Sequence, residues 1–219
     1  MTVPALTLAL PKGRLEEQVQ DQFARRGIHF KFKDRQLVAH DQTGLFRIFL
    51  VKNADLPTYV HHSIAGLGIC GDDVLYESGF SFAHLLSFDF GQTRMCLAAN
   101  EKLAASINNH QDLAQIIQAS GLRIASKFTR FTRDYFHDIG LPVEIIKLNG
   151  SVELAPVLGL APLIVDLVET GSTLRANKLE IVQILATIGV HLVANPAYYK
   201  LHFKQINQVV NLLTTGGHL

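Results

Sequence analysis

Residues 163–174 read Leu-Ile-Val-Asp-Leu-Val-Glu-Thr-Gly-Ser-Thr-Leu. An apolar run carrying one carboxylate, Asp166, gives way to Glu169, Thr170, Gly171, Ser172, Thr173 and Leu174. That order suits the gripping of a ribose phosphate. Successive backbone N–H groups around a glycine form an anion nest, small hydroxyl side chains add hydrogen bonds to phosphate oxygens, and the glycine lets the backbone come close. The carboxylates would accept from sugar hydroxyls or hold Mg2+ through water. The same residues also fit an ordinary strand-to-helix turn with Thr170 or Ser172 as the N-cap.

A second candidate is Leu-Pro-Lys-Gly-Arg-Leu at 10–15, where Lys12 and Arg14 flank Gly13 between an expected first strand and first helix. Ligands of α/β sheets bind at the carboxyl ends of strands, so these cations are placed to neutralise a diphosphate; solvated residues of an exposed turn are the alternative. Gly66, Gly68 and Gly71 satisfy the G-x-G-x-x-G string, yet Ile69 and Cys70 between them read as the strand itself. A helical segment precedes them where a dinucleotide-binding unit needs a strand, so that reading fails on context. A turn followed by a strand is more economical. It leaves Asp73 at the strand's carboxyl end, either facing a ligand or capping the next turn with Asp72.

Other chemistries find little support. The 10 histidines include adjacent His61 and His62, which point to different faces of a helix, and no HxxxH or HExxH spacing, so no metal site is expected. No local Ser-His-Asp or Cys-His arrangement favours covalent catalysis. Arg123, Lys127, Arg130 and Arg133 read as a solvated face. With 20 Lys plus Arg against 19 Asp plus Glu, the chain has no global field to attract nucleic acid or an acidic membrane. Anion chemistry must come from local clusters. Cys70 and Cys96 show no CxxC spacing, which fits a reducing cytoplasm better than a disulfide-stapled secreted domain. The apolar start at Met1–Leu10 is short and lacks a basic n-region, so it reads as a strand and not a signal peptide. No window approaches the roughly 18 apolar residues a membrane span needs.

The elements that must position these residues follow an α/β pattern with a largely parallel sheet. Strands are predicted at 5–10, 36–39, 46–51, 66–71, 85–88, 95–99, 123–126, 143–148 and 163–168. Helices are predicted at 15–26, stopped by Gly27; at 56–64, opened by Asp55 and Pro57; at 112–120, ended by Gly121; at 132–139; and at 151–158, capped by Ser151. Two α/β domains are expected, 1–89 plus 178–219 and 90–177, the second carrying the 163–174 tract.

Together these segments resemble the short form of the ATP phosphoribosyltransferase family. The residues that carry the resemblance are Leu-Pro-Lys-Gly-Arg-Leu at 10–15, Ala-Asp-Leu-Pro-Thr-Tyr-Val at 54–60, Gly-Ile-Cys-Gly-Asp-Asp-Val-Leu at 68–75, Asn-Gly-Ser-Val-Glu-Leu-Ala-Pro at 149–156, and Ile-Val-Asp-Leu-Val-Glu-Thr-Gly-Ser-Thr-Leu-Arg-Ala-Asn at 164–177. The last is the most specific. Departures stand at Pro162, where relatives carry an acid, at Asp72, where a lysine is common, and at Lys52, which replaces a frequent arginine.

The resemblance implies two α/β domains like those of type II periplasmic solute-binding proteins, with the active site in the cleft between them. It implies transfer of phosphoribosyl from phosphoribosyl pyrophosphate (PRPP) to N1 of the adenine of ATP, releasing diphosphate, in the first step of histidine biosynthesis. Glu169 to Leu174 would cradle the 5-phosphate, and Asp166 and Glu169 would lie near the ribose hydroxyls. Arg14 and Arg35, with Lys12, Gly13 and Mg2+, would bind diphosphate and ATP phosphates, Arg35 being singled out only by its match to a family arginine. Asp73 and Glu153 would complete the ATP site, Glu153 near the adenine. The implied partner is a regulatory subunit resembling histidyl-tRNA synthetase, around a homodimer within a hetero-oligomer. A solute-binding or ligand-sensing module on the same fold, and a salvage enzyme acting on a free base, are the competing readings.

Overall fold

The computed structural model describes residues 4–107, 110–120 and 123–215. In chain order the elements are β1 (Leu6–Pro11), α1 (Arg14–Ala24), β2 (Val38–His40), β3 (Phe46–Val51), α2 (Leu56–His61), β4 (Leu67–Gly71), α3 (Asp72–Ser78), β5 (Ala83–Asn100), α4 (Glu101–Ala104), α5 (His110–Ser120), β6 (Arg123–Ser126), α6 (Thr129–Asp138), β7 (Glu144–Lys147), α7 (Leu154–Val157), β8 (Leu163–Val168), α8 (Ser172–Ala176), β9 (Leu179–Ala194), α9 (Pro196–Leu201) and α10 (Phe203–Thr215). They form two compact units. One runs to Gly91 and resumes at Gly189, and the other is Gln92–Ile188. The expected boundaries fall after 89, from periodicity, and after 177. The second division falls later because Val182, Leu185 and Ile188 of β9 pack into the second unit's core before the strand returns.

In the first unit the strand order is β2-β3-β1-β4-β9. β1 runs parallel to β3 and β4, and β9 pairs antiparallel with β4, Gly68 opposite Val193. Side chains alternate across the sheet. Leu8 and Leu10 enter a cluster with Val19 and Phe23 of α1 and Ile206 and Val209 of α10, whereas Ala9 enters one with Leu56 and Val60 of α2 and Val74 of α3. Both faces are covered, which is why these strands read as nearly unbroken apolar runs. A Cβ on Gly66 would strike the Tyr198 ring, and one on Gly68 would lie 2.8 Å from Leu56 and from Val60. These glycines therefore serve close packing, and the intervening residues are strand.

In the second unit the order is β5-β8-β6-β7, with β8, β6 and β7 parallel and β5 antiparallel to β8. Leu163 and Val165 face a cluster with Met95, Leu97, Ile117 and Phe136; Ile164 and Val168 face one with Cys96, Ala98, Val152 and Leu174.

The observed elements differ from the predicted ones at identifiable places. β5 is one strand of 18 residues where two were predicted, because Gly91 at φ +70° interrupts the apolar pattern without ending the pairing. The predicted helix at 151–158 shrinks to α7, and Ser151, at φ +49°, lies outside it and does not cap it. The predicted stop at Gly121 lies outside the described residues. β9, α9 and α10 were not predicted. Glu180, Gln183 and Thr187, exposed or half-exposed, interrupt the apolar run of β9.

Candidate active site

The 163–174 tract folds as β8, a turn through Glu169–Gly171, and α8. Gly171 takes φ +73°, a conformation that costs an L side chain about 1–2 kcal/mol. Gly171 itself is the N-cap residue, and no side chain caps the helix, so neither Thr170 nor Ser172 plays that part. Thr170 Oγ1 lies 3.0 Å from Ser172 Oγ and accepts from the Ser172 N–H at 3.4 Å. Both residues are exposed with Glu169 and Thr173, while Leu174 is buried and anchors α8 to the core. Glu153, Asp166 and residues 167–174 line one cavity of about 230 Å3. Every residue assigned from sequence to the sugar phosphate is therefore gathered in one place, with Glu153 beside them.

Asp166 is half-buried and its side chain accepts the Leu167 N–H at 2.8 Å. Burial pushes its carboxyl above the ordinary aspartate value. The Leu167 N–H opposes that rise, Glu153 adds to it, and Lys127 opposes it. The charge of Lys127 is felt there because β6 runs parallel to β8, with Ser126 opposite Val165 and the Ser126 hydroxyl donating to the Val165 carbonyl at 2.7 Å.

Two arginines missed in the sequence complete the surroundings. Arg94 of β5 lies opposite Val168 and donates from Nη2 to the Glu169 carbonyl at 3.4 Å. The Arg175 guanidinium lies 3.2 Å from where a Gly171 Cβ would stand, and the Arg175 N–H donates to the Gly171 carbonyl at 3.1 Å. Lys127 was legible in principle, since the strand-end rule that selected Lys12 applies equally to the residue after β6. Arg94 was not, because it sits on the antiparallel neighbour far away in sequence.

In the first unit, Lys12 continues the β1–β3 pairing by donating its N–H to the Val51 carbonyl at 2.9 Å. Gly13 caps α1 at φ +105° with open space around its α-carbon, so the backbone conformation, and not crowding, requires glycine there. Lys12 shares a groove of about 350 Å3 with Leu37, Phe49, Lys52 and Tyr59. Arg14 begins α1, exposed. Arg35 is exposed in a turn at φ +57°. Neither they nor Asp73 are among the described residues lining that groove. Asp73 is buried in the first turn of α3. Asp72 is tied to β9: it accepts the Gly189 N–H at 2.9 Å and approaches His191 Nε2 at 2.9 Å. The carboxylate that departs from the usual lysine thus has a structural use. The basic run does not act as one face, since Arg130 pairs with Asp134 and the Lys127 ammonium lies over the Phe128 ring, 5.7 Å from its centroid.

Comparison with known proteins agrees along the chain. The family model described as HisG, ATP phosphoribosyltransferase, matches residues 52–215. The ATP phosphoribosyltransferase of Lachnospira eligens is 38% identical over 211 residues, 94% of each chain. Among solved structures, the ATP phosphoribosyl transferase (HisG:HisZ) complex from Thermotoga maritima is 35% identical with a TM-score of 0.79, covering 96% of this chain and 98% of that one. The alkanesulfonate-binding protein SsuA from Xanthomonas axonopodis pv. citri, bound to MOPS, is 13% identical with a TM-score of 0.59, covering 99% and 74%. The latter likeness concerns the fold alone and fits the type II periplasmic-binding-protein-like architecture of two α/β units.

Proposed function

This chain belongs to the ATP phosphoribosyltransferase family and so transfers phosphoribosyl from PRPP to N1 of the adenine of ATP, releasing diphosphate, in the first step of histidine biosynthesis; we propose that residues 166–174 hold the phosphoribosyl group during that transfer. The observation that carries the assignment is the single cavity lined by Glu153, Asp166 and the 167–174 backbone.

The adenine N1 lone pair forms a bond to C1 of the ribose while the bond from C1 to the diphosphate oxygen breaks, its electron pair leaving with diphosphate. Positive charge builds on the ring between these events. A protein accelerates this by holding the sugar, aligning the nitrogen within about 3–3.5 Å and stabilising the departing anion. In this reading Glu169 to Leu174, with Gly171 setting the turn, present N–H and hydroxyl donors to the 5-phosphate. Asp166 and Glu169 accept from the ribose hydroxyls, and their charge favours the cationic ring. Arg14 and Arg35, with Lys12 and Gly13, bind diphosphate and ATP phosphates. Asp73, at the carboxyl end of β4, and Glu153 serve the ATP side, and Glu153 receives the proton lost from the adenine amino group.

Mg2+ suits this donor set. Among the described residues no three His, Cys, Asp or Glu side chains converge on a metal cage, whereas Asp166 and Glu169 offer carboxylate oxygens beside a space for phosphates. Mg2+ is commonly bound in this way, through one or two carboxylates plus substrate phosphates and water. When bound it would neutralise the diphosphate.

The HisZ component in the Thermotoga maritima complex supports a regulatory partner for this chain. We assign that partner as a subunit resembling histidyl-tRNA synthetase, around a homodimer within a hetero-oligomer. No helix among the described residues is long and apolar enough to cross a membrane. Cytoplasmic placement is part of the proposal, on the strength of the biosynthetic reaction.

The test is an assay for phosphoribosyl-ATP from ATP, PRPP and Mg2+, with and without the regulatory subunit. Gly171→Val serves as the site control and adenine replaces ATP in a parallel arm. Product from ATP alone, lost in Gly171→Val, is expected. Full activity in Gly171→Val would overturn the site, and product from adenine would favour the salvage reading.

A further inference from the structure

We propose that Arg94 is a positioning residue for phosphoribosyl binding, holding the Glu169–Thr170 peptide so that the Thr170 N–H is presented to the 5-phosphate. The inference rests on the assignment of residues 166–174 to that group. Arg94 stands on β5, opposite Val168, where β8 ends. Its Nη2 reaches beyond the ladder to the first carbonyl of the turn, that of Glu169, at 3.4 Å.

A trans peptide is planar, with its C=O and N–H pointing in opposite directions. Fixing the Glu169 carbonyl toward β5 therefore aims the Thr170 N–H away from β5. Thr170 lines the cavity, and among the described residues its N–H meets no protein acceptor. A free N–H at the edge of a polar cavity, its carbonyl drawn by a cation, is a prepared and polarised anion donor.

The far side of the same turn is governed by Gly171, at φ +73°, which without a Cβ can adopt more than one backbone arrangement. Arg175 covers that side, near the Gly171 α-carbon. Without Arg94 the Glu169–Thr170 peptide would rotate freely at its N-terminal end, and substrate would have to order it on binding. The loss should fall on PRPP affinity, since ordering before binding is a ground-state cost. ATP affinity and the chemical step should change little.

The experiment compares Arg94→Ala, Arg94→Lys and Gly171→Val in the whole chain. PRPP binding is followed by calorimetry, turnover is measured with saturating ATP and the regulatory subunit, and hydrogen exchange of the peptide spanning 166–174 is read without ligand. Arg94→Ala should weaken PRPP binding about tenfold or more, the scale of one charge-assisted hydrogen bond. Its kcat at saturating PRPP should stay within about threefold and its KM for ATP should not move. Exchange in 166–174 should quicken while the unfolding temperature holds, and Arg94→Lys should recover part of both effects.

Unchanged PRPP affinity in Arg94→Ala overturns the proposal. So does weakened affinity with unaltered exchange, which would make Arg94 a direct ligand. If Arg94→Ala does not fold, Arg94→Lys alone decides, since its shorter arm must quicken loop exchange and raise the KM for PRPP, or the proposal fails. Gly171→Val separates the two ideas. If it binds PRPP normally, the loop assignment itself is wrong; if it does not while Arg94→Ala does, only the bracing is wrong.

Discussion

The Asp166 carboxylate accepts the backbone N–H of Leu167 at 2.8 Å, and even with that bond its carboxyl is held above the ordinary value of 3.8. Burial is the main cause, with Glu153 adding to it. Between the ordinary value and the raised one the folded chain binds more protons than the unfolded chain, so stability falls as pH rises through that window. Above it the ionised carboxylate is a standing cost to the fold. Asp166→Asn should therefore unfold at a higher temperature than the parent at neutral pH, with the gap closing below the ordinary aspartate value. The KM for PRPP should rise about tenfold to a hundredfold, because a charged acceptor for the ribose is lost. Thermal unfolding across pH and steady-state kinetics check both halves, and a lower unfolding temperature at neutral pH would contradict the first.

Gly171→Val tests the turn itself. At φ +73° a β-branched residue costs at least about 1–2 kcal/mol, and its Cβ would press on the Arg175 guanidinium, 3.2 Å away. The turn must then rearrange, and with it the donors of 170–173. The rate should fall about a hundredfold or more. A rate within threefold of the parent would remove Gly171 from the site.

Arg14→Ala addresses the cationic side. Arg14 lies in the first turn of α1, after the Gly13 cap, exposed at the carboxyl end of β1. If it stabilises the departing diphosphate, its removal should raise the barrier by about 2.7 kcal/mol, a hundredfold in rate, at saturating ATP and PRPP. A rise in KM alone would reassign it to substrate binding.

How much of this could be read from the chain depends on whether a relationship is local. β3, β6 and β8 stand as predicted because each is a short, mainly apolar run with a buried face and turn residues at its ends; β8 has no exposed residue at all, whereas β3 turns Arg47 to solvent. The 166–174 cavity was legible for the same reason, since its parts are consecutive. Arg94 and Glu169 are not consecutive. Their meeting depends on antiparallel pairing of β5 with β8, which no spacing encodes, and the charge of Lys127 is felt at Asp166 only because β6 lies beside β8. β9 escaped because Glu180, Gln183 and Thr187 fall at irregular intervals among the half-exposed and exposed residues of its first half, so no period of two marks it.

Gly66→Ala separates packing from ligand binding at the G-x-G-x-x-G string. The new methyl would meet the Tyr198 ring, whose hydroxyl accepts the Thr7 N–H at 3.1 Å, so the ring cannot withdraw without cost. Overpacking of this kind costs about 1–3 kcal/mol. For a chain of this size each kcal/mol lowers the unfolding temperature by about 2–4 °C. The KM values for ATP and PRPP should not change below that temperature. A selective rise in the KM for ATP with unchanged stability would restore a phosphate-binding role to this glycine.

Glu153→Gln distinguishes proton transfer from charge alone. Glu153 precedes α7, half-buried, and lines the cavity with Asp166, whose carboxyl its charge helps to raise. Glutamine keeps the shape and removes both the charge and the ability to take a proton. If Glu153 receives the proton lost from the adenine amino group, kcat should fall about a hundredfold, within the range of general base catalysis. The same change lifts one of the influences that raise Asp166, so Asp166 should ionise at lower pH and the acid limb of PRPP binding should move downward. The two effects are read in different assays, turnover at saturating substrates and PRPP binding against pH. Unchanged turnover together with a shifted binding curve would leave Glu153 as an electrostatic neighbour of Asp166 and exclude it as the proton acceptor.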